Sequence, residues 1–144
     1  MVLGLGEGAI NILLPKTELC PGKKVKGQII LSLDKPKKAR ELRIDLYGES
    51  PEHEYGVHEN RRYVVREAIS GERTYKNGEK FEFSFIVPEN ILLKSSNSVK
   101  AHHFQKFFGD RPSHWYLQAS LNIPFSFDVS NRIGVTITSR ASRD

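Results

Sequence analysis

The chain of 144 residues is 38% hydrophobic and 27% charged, with a formal net charge of +5. That composition excludes a disordered chain, and no apolar run approaches the ~20 residues of a membrane-spanning helix. The length predicts one domain over 1–144 with a core over 9–138, large enough to fold without staples, and the lone Cys20 excludes an intramolecular disulfide.

The N-terminal Met-Val-Leu-Gly-Leu-Gly-Glu-Gly has no basic region before an apolar stretch, and Glu7 interrupts it, so it does not read as a signal peptide. Together with single-cysteine usage this gives a cytoplasmic expectation. Gly4, Gly6 and Gly8 have no strand before them and no helix after, which removes a dinucleotide loop.

The first predicted strand is Ala9–Leu14, with Ile10, Ile12 and Leu14 inward. Val25–Leu33 follows, placing Val25, Gly27, Ile29, Leu31 and Leu33 on one face and Lys26, Gln28 and Ser32 on the other. In Glu41–Gly48, Leu42, Ile44, Leu46 and Gly48 face in, and Glu41, Arg43, Asp45 and Tyr47 face water. Arg61–Ser70 alternates through Tyr63, Val65 and Ile69 but is broken by Glu67, which marks an edge strand. Asn77-Gly78 is a turn signal before Lys80–Val87, whose Phe81, Phe83, Phe85 and Val87 point inward. Trp115–Ile123 turns Trp115, Leu117, Ala119, Leu121 and Ile123 inward, and Arg132–Thr138 adds Ile133, Val135 and Ile137. All seven prolines fall between these strands, where a missing N–H breaks no ladder. About seven short strands with no helix-period segment between them predict an all-β, antiparallel sandwich.

The connection between Pro88 and Pro112 is longer than an ordinary loop. Its Ser98–Gly109 segment is expected as loop or short helix, and Phe104, Phe107 and Phe108 beside Lys100 and Lys106 form a candidate partner-binding finger. The same residues are the ones that would meet a membrane surface, an expectation ranked below a protein partner.

These strands resemble the N-terminal domain of the arrestin-like superfamily. The matching residues are Pro21-Gly22, Val25-x-Gly27-x-Ile29, Leu42-x-Ile44-x-Leu46-x-Gly48, and Phe83-Ser84-Phe85-Ile86-Val87-Pro88. Trp115 through Ile123, then Asp128 and Ile133-x-Val135, look most like the prokaryotic sporulation-control branch. The resemblance implies an immunoglobulin-like sandwich acting as a non-enzymatic adaptor or regulator of protein partners, with no cofactor. It does not extend to receptor or phosphate recognition, because the arrestins' buried charged cluster and paired phosphate-sensing lysines have no counterpart here. Members of the superfamily usually pair two sandwiches, so one sandwich is expected to self-associate into a homo-oligomer.

Other chemistry carries less. Lys23, Lys24, Lys26, Lys35, Lys37, Lys38 and Arg40 form a basic stretch that reads as solvated strand flanks, with phosphate or anionic lipid as the functional alternative. No nucleic-acid-binding motif accompanies the charge. A metal or small-ligand site, with an enzymatic role as its extension, would draw on His102, His103 and His114, yet adjacent histidines on a strand point to opposite faces. Cys20 near Lys23 has no histidine partner in the sequence around it and reads as a turn residue.

Overall fold

The computed structural model describes residues 8–50, 61–91, 114–126 and 128–138. Among these residues there is no helix, and the strands are β1 (Ala9–Leu13), β2 (Glu18–Leu19), β3 (Lys24–Ser32), β4 (Lys37–Ala39), β5 (Glu41–Glu49), β6 (Arg61–Ser70), β7 (Arg73–Tyr75), β8 (Lys80–Ile86), β9 (His114–Asn122) and β10 (Val129–Ile137). The seven long strands were legible in the sequence to within a few residues. The short β2, β4 and β7 were not, since two or three residues show no period.

A three-stranded sheet, β1-β3-β8, faces a five-stranded sheet, β2-β10-β9-β5-β6, and β4 pairs with β7 apart from both. Pairing is antiparallel except between β10 and β2, where Thr136 and Ile137 lie beside Glu18 and Leu19. The chain crosses between the sheets at Leu14–Thr17, immediately after β1 leaves β3 at Leu13↔Gln28. Asn131 Nδ2 ties the two sheets along this side by donating to the Ile10 carbonyl at 2.8 Å.

Between the sheets lie Ile10, Ile12, Ile29, Leu31, Leu42, Ile44, Leu46, Phe83, Phe85, Trp115, Leu117 and Leu121. Phe83 and Phe85 stack at 6.2 Å, and Phe83 lies across Gly27, its partner on β3. A Cβ at Gly27 would stand 2.5 Å from Phe83 Cζ and 2.8 Å from the Leu13 carbonyl, so only glycine fits there. The turn before β8 forms as the sequence predicts, with Gly78 at φ 84° and Asn77 Oδ1 accepting from the Leu33 amide at 2.9 Å.

The structure corrects two expectations. Tyr63 and Val65 do not share a face. Leu46 pairs with Val65 but Tyr47 pairs with Tyr63, because a bulge at Val64 shifts the register by one residue. Tyr63 is thereby swung to the outer side of the sheet. Asp45 and Tyr47 do point outward, but they are buried to 3% and 0% exposure rather than wet. The edge position of the strand holding them in place, β6, is as expected.

Candidate interaction surfaces

The outer side of β5 explains that burial. Cross-strand register brings Tyr116 of β9 and Tyr63 of β6 to either side of Tyr47, and Gln118 and Arg66 to either side of Asp45. The Tyr47 ring sits 5.1 Å from that of Tyr63 and 5.7 Å from that of Tyr116, both tilted. Three guanidiniums then close over the rings: Arg61 over Tyr47 at 4.6 Å, Arg66 over Tyr63 at 3.9 Å and Arg132 over Tyr116 at 3.8 Å. Cation–π contact of this kind contributes about 0.5–1 kcal/mol at exposed sites and more when desolvated.

Hydrogen bonds tie the layer together. Tyr47 Oη donates to Gln118 Oε1 at 3.2 Å and accepts from Arg132 Nη1 at 2.9 Å. Glu49 Oε2 accepts from both Arg61 Nε and Arg132 Nη1, each at 3.2 Å. Asp45 Oδ1 receives Arg66 Nε at 3.1 Å and faces Arg43 Nε at 3.6 Å. Arg43 in turn donates through Nη1 to Glu41 at 3.1 Å. Acceptance by the Tyr63 hydroxyl holds the Arg61 guanidinium above its ordinary value, and the Tyr47 hydroxyl does the same for Arg132, so both charges are fixed. Four guanidiniums here face three carboxylates, which leaves one positive charge over.

Such an arrangement holds each guanidinium by its flat face and leaves part of its edge to solvent: the Arg66 side chain is 48% exposed and that of Arg132 40%. Guanidinium edges fixed in this way are suited to carboxylate or carbonyl groups of a partner, with little rotamer freedom left to lose on contact. Tyrosine and arginine are also the residue types most often found as binding hot spots.

A second feature is an open cleft of about 800 Å³ beside the end of β1. It is lined by Leu13, Leu14 and Pro15 together with Lys26, Gly27, Glu82 and Ser84. Leu13 is 44% exposed there.

The residues singled out from sequence fall mostly elsewhere. Lys100, His102, His103, Phe104, Lys106, Phe107 and Phe108 lie outside the described residues. His114 opens β9, where its ring stacks on Tyr116 at 6.4 Å. Among the described residues no group of three or more His, Cys, Asp or Glu is placed to hold a metal ion. Cys20 Sγ is 3.4 Å from the Thr138 hydroxyl. The basic stretch is divided by the fold: Lys24 and Lys26 lie on β3, Lys37 pairs with Asp34 at 3.4 Å, and Lys35, Lys38 and Arg40 are exposed on the connection between β3 and β5. The arginine–tyrosine layer is not legible along the chain, because its members come from four strands. The available signal was an arginine or tyrosine at outward positions of each.

No family model matches the chain, and no curated protein matches it in sequence. Among solved structures, the crystal structure of Spo0M, the sporulation control protein of Bacillus subtilis, superposes with a TM-score of 0.68 over 94% of this chain, at 17% identity. The fold is arrestin-like. It resembles the sporulation-control branch, as the tryptophan strand and the glycine-bearing strands imply. This arrestin-like chain spans about half the length of Spo0M, 51% of it. A beta-glucosidase from Listeria innocua also matches, at TM-score 0.41 and 12% identity over 90% of this chain and 16% of that one, too slight a likeness to carry an argument. Among the described residues no helix is long and apolar enough to cross a membrane.

Proposed function

We propose that this arrestin-like domain is a non-enzymatic regulatory module that binds a protein partner through the arginine–tyrosine layer on the outer side of β5, β6, β9 and β10. The observation that carries this reading is the set of three guanidinium–tyrosine stacks, held on a rigid sheet with their donor edges partly exposed. The likeness to a sporulation control protein supports a regulatory role of the same general kind. The Phe104–Phe108 segment with Lys100 and Lys106 is proposed as an additional contact on the strength of its sequence. Self-association belongs to the same reading, because β8 ends the three-stranded sheet and carries Ile86 at 59% exposure.

The test is affinity capture of the tagged protein from its native cells, comparing wild type with Arg61→Ser/Tyr63→Ser and with Phe107→Asp/Phe108→Asp. Thermal melts confirm that each variant is folded. A specific partner lost in the first variant supports the layer as the contact. A partner lost only in the second moves the contact to the phenylalanine segment, and no specific partner at all overturns the module reading. Light scattering that shows a strict monomer at high micromolar concentration removes self-association.

A further inference from the structure

The end of the sandwich where β9 leads into β10 carries a feature that the arginine–tyrosine layer does not explain. The connection from β9 to β10 begins with Ile123-Pro124-Phe125-Ser126, where the Ser126 amide donates to the Ile123 carbonyl at 3.2 Å. Proline takes the first central position of this turn. Phe125 takes the second with φ 57°, the left-handed region that turns of this shape reserve for glycine or asparagine. It is the one non-glycine residue at positive φ among the described residues. Its side chain is also fully exposed, at 103%. A bulky residue at positive φ is an outlier with a conformational cost, and it gains no burial here to offset that cost. A lone exposed apolar side chain is ordinary on its own; one held in a strained backbone at the tip of a hairpin is not.

The surroundings of this tip are basic. The Arg40 amide donates to the Asn122 carbonyl at 2.8 Å, which places the β3–β5 connection next to the turn. The β7–β8 turn reaches the same end through the Gly78 amide on the Leu31 carbonyl at 2.8 Å. Lys35, Lys38, Arg40 and Lys76 are exposed at this end. Lys37, Arg73 and Arg43 pair with Asp34, Glu79 and Glu41, leaving Glu72 and Asp128 as the remaining acids among the described residues at this end. The balance is positive.

We propose that this end is a contact for an anionic membrane surface, with Phe125 entering the boundary between headgroups and acyl chains and Lys35, Lys38 and Arg40 facing the headgroups. Among the described residues Phe125 is the one exposed large apolar side chain at this tip, a small core for a protein interface, which ordinarily buries ~800 Å² on each partner. The same ring suits a medium that yields around it, and flanking lysines and arginines add attraction to acidic lipid. This contact lies at the far end of β9 from His114, Glu49, Arg61 and Tyr63, the end of the layer that carries its three guanidinium–tyrosine stacks.

The test is sedimentation of the full 144-residue chain with phosphatidylserine/phosphatidylcholine vesicles and with phosphatidylcholine alone. Wild type is expected to bind the anionic vesicles and to be released by salt. Phe125→Gly removes both the ring and the strain: affinity should fall about 10- to 100-fold, while the melting temperature stays level or rises. Lys38→Glu/Arg40→Glu should abolish binding. A Phe125→Trp variant should show fluorescence quenching by brominated acyl chains. Arg61→Ser/Tyr63→Ser should bind vesicles as wild type does, so failure here and failure of the protein-binding reading are told apart. Binding unchanged in Phe125→Gly overturns the proposal, as does absence of wild-type binding. Phe125-dependent binding to soluble poly-glutamate without binding to vesicles also overturns it, in favour of an acidic protein.

Discussion

On β5, Leu42, Ile44 and Leu46 point into the sandwich and are 0–1% exposed, while Asp45 and Tyr47 point away from it and are 3% and 0% exposed. Both sides of one strand exclude water, but by different means. The inner side is closed by the second sheet, with aliphatic packing that needs no partner atoms beyond contact. The outer side is closed by long side chains from the same sheet, folded over the strand and held by guanidinium stacking and by bonds to Glu49 and Gln118. Burial on a sheet face therefore needs no second layer of backbone. Arginine stems and tyrosine rings make a cover of their own while keeping their polar ends usable.

Truncating one residue on each side tests whether the two covers pack equally well. Leu46→Ala should cost about 2–5 kcal/mol and Tyr47→Ala about 3–5 kcal/mol in chemical denaturation, since both lose a fully buried side chain. A cost below ~1 kcal/mol for Tyr47→Ala with the full cost for Leu46→Ala would mean that the outer cover is not packed in solution. A milder change sharpens the same point. Tyr47→Phe keeps the ring but leaves Arg132 and Gln118 without the hydroxyl, and should cost about 0.5–1.5 kcal/mol. No change in stability would assign the cover to ring stacking alone.

The smallest effect belongs to an ion pair outside the layer, Arg73–Glu79, in the β7–β8 region. Partial burial pushes the Glu79 carboxyl up, but the Lys76 amide and the Arg73 guanidinium outweigh it and hold the group below the usual carboxylate range. A carboxylate with a lowered folded-state value contributes stability above its unfolded value, and this is lost as pH falls through the folded value. Wild type should therefore lose a little more stability than Glu79→Gln as pH drops below about 4. Parallel acid limbs for the two proteins would show that this exposed pair contributes nothing.

The inner face was legible residue by residue because alternation has a period of two and the buried set is apolar: Ile29 and Leu31, Phe83 and Phe85, Leu117 and Leu121 all read correctly. Gly27 was legible as an inward position of its strand, and Phe83 lying over it is the reason that a glycine stands there. The candidate site was scarcely legible. Asp45 and Tyr47 occupy outward positions, and nothing local tells an outward residue whether its neighbours will cover it. Tyr63 was assigned to the wrong side because the bulge at Val64 leaves no mark in an alternating stretch. Phe125 follows a proline between two strands, and its turn was readable; its positive φ was not.

The fold class, the long strands, their inner faces and the likeness to the sporulation-control branch were all written in the linear order of residues. Each of those rests on a repeat along one strand or on the order of such repeats along the chain. Tertiary structure alone decided that Arg61, Arg66 and Arg132 close over three tyrosines and that basic side chains gather beside Phe125. Those features depend on register between strands far apart in the chain, and register is set by the global packing of the two sheets.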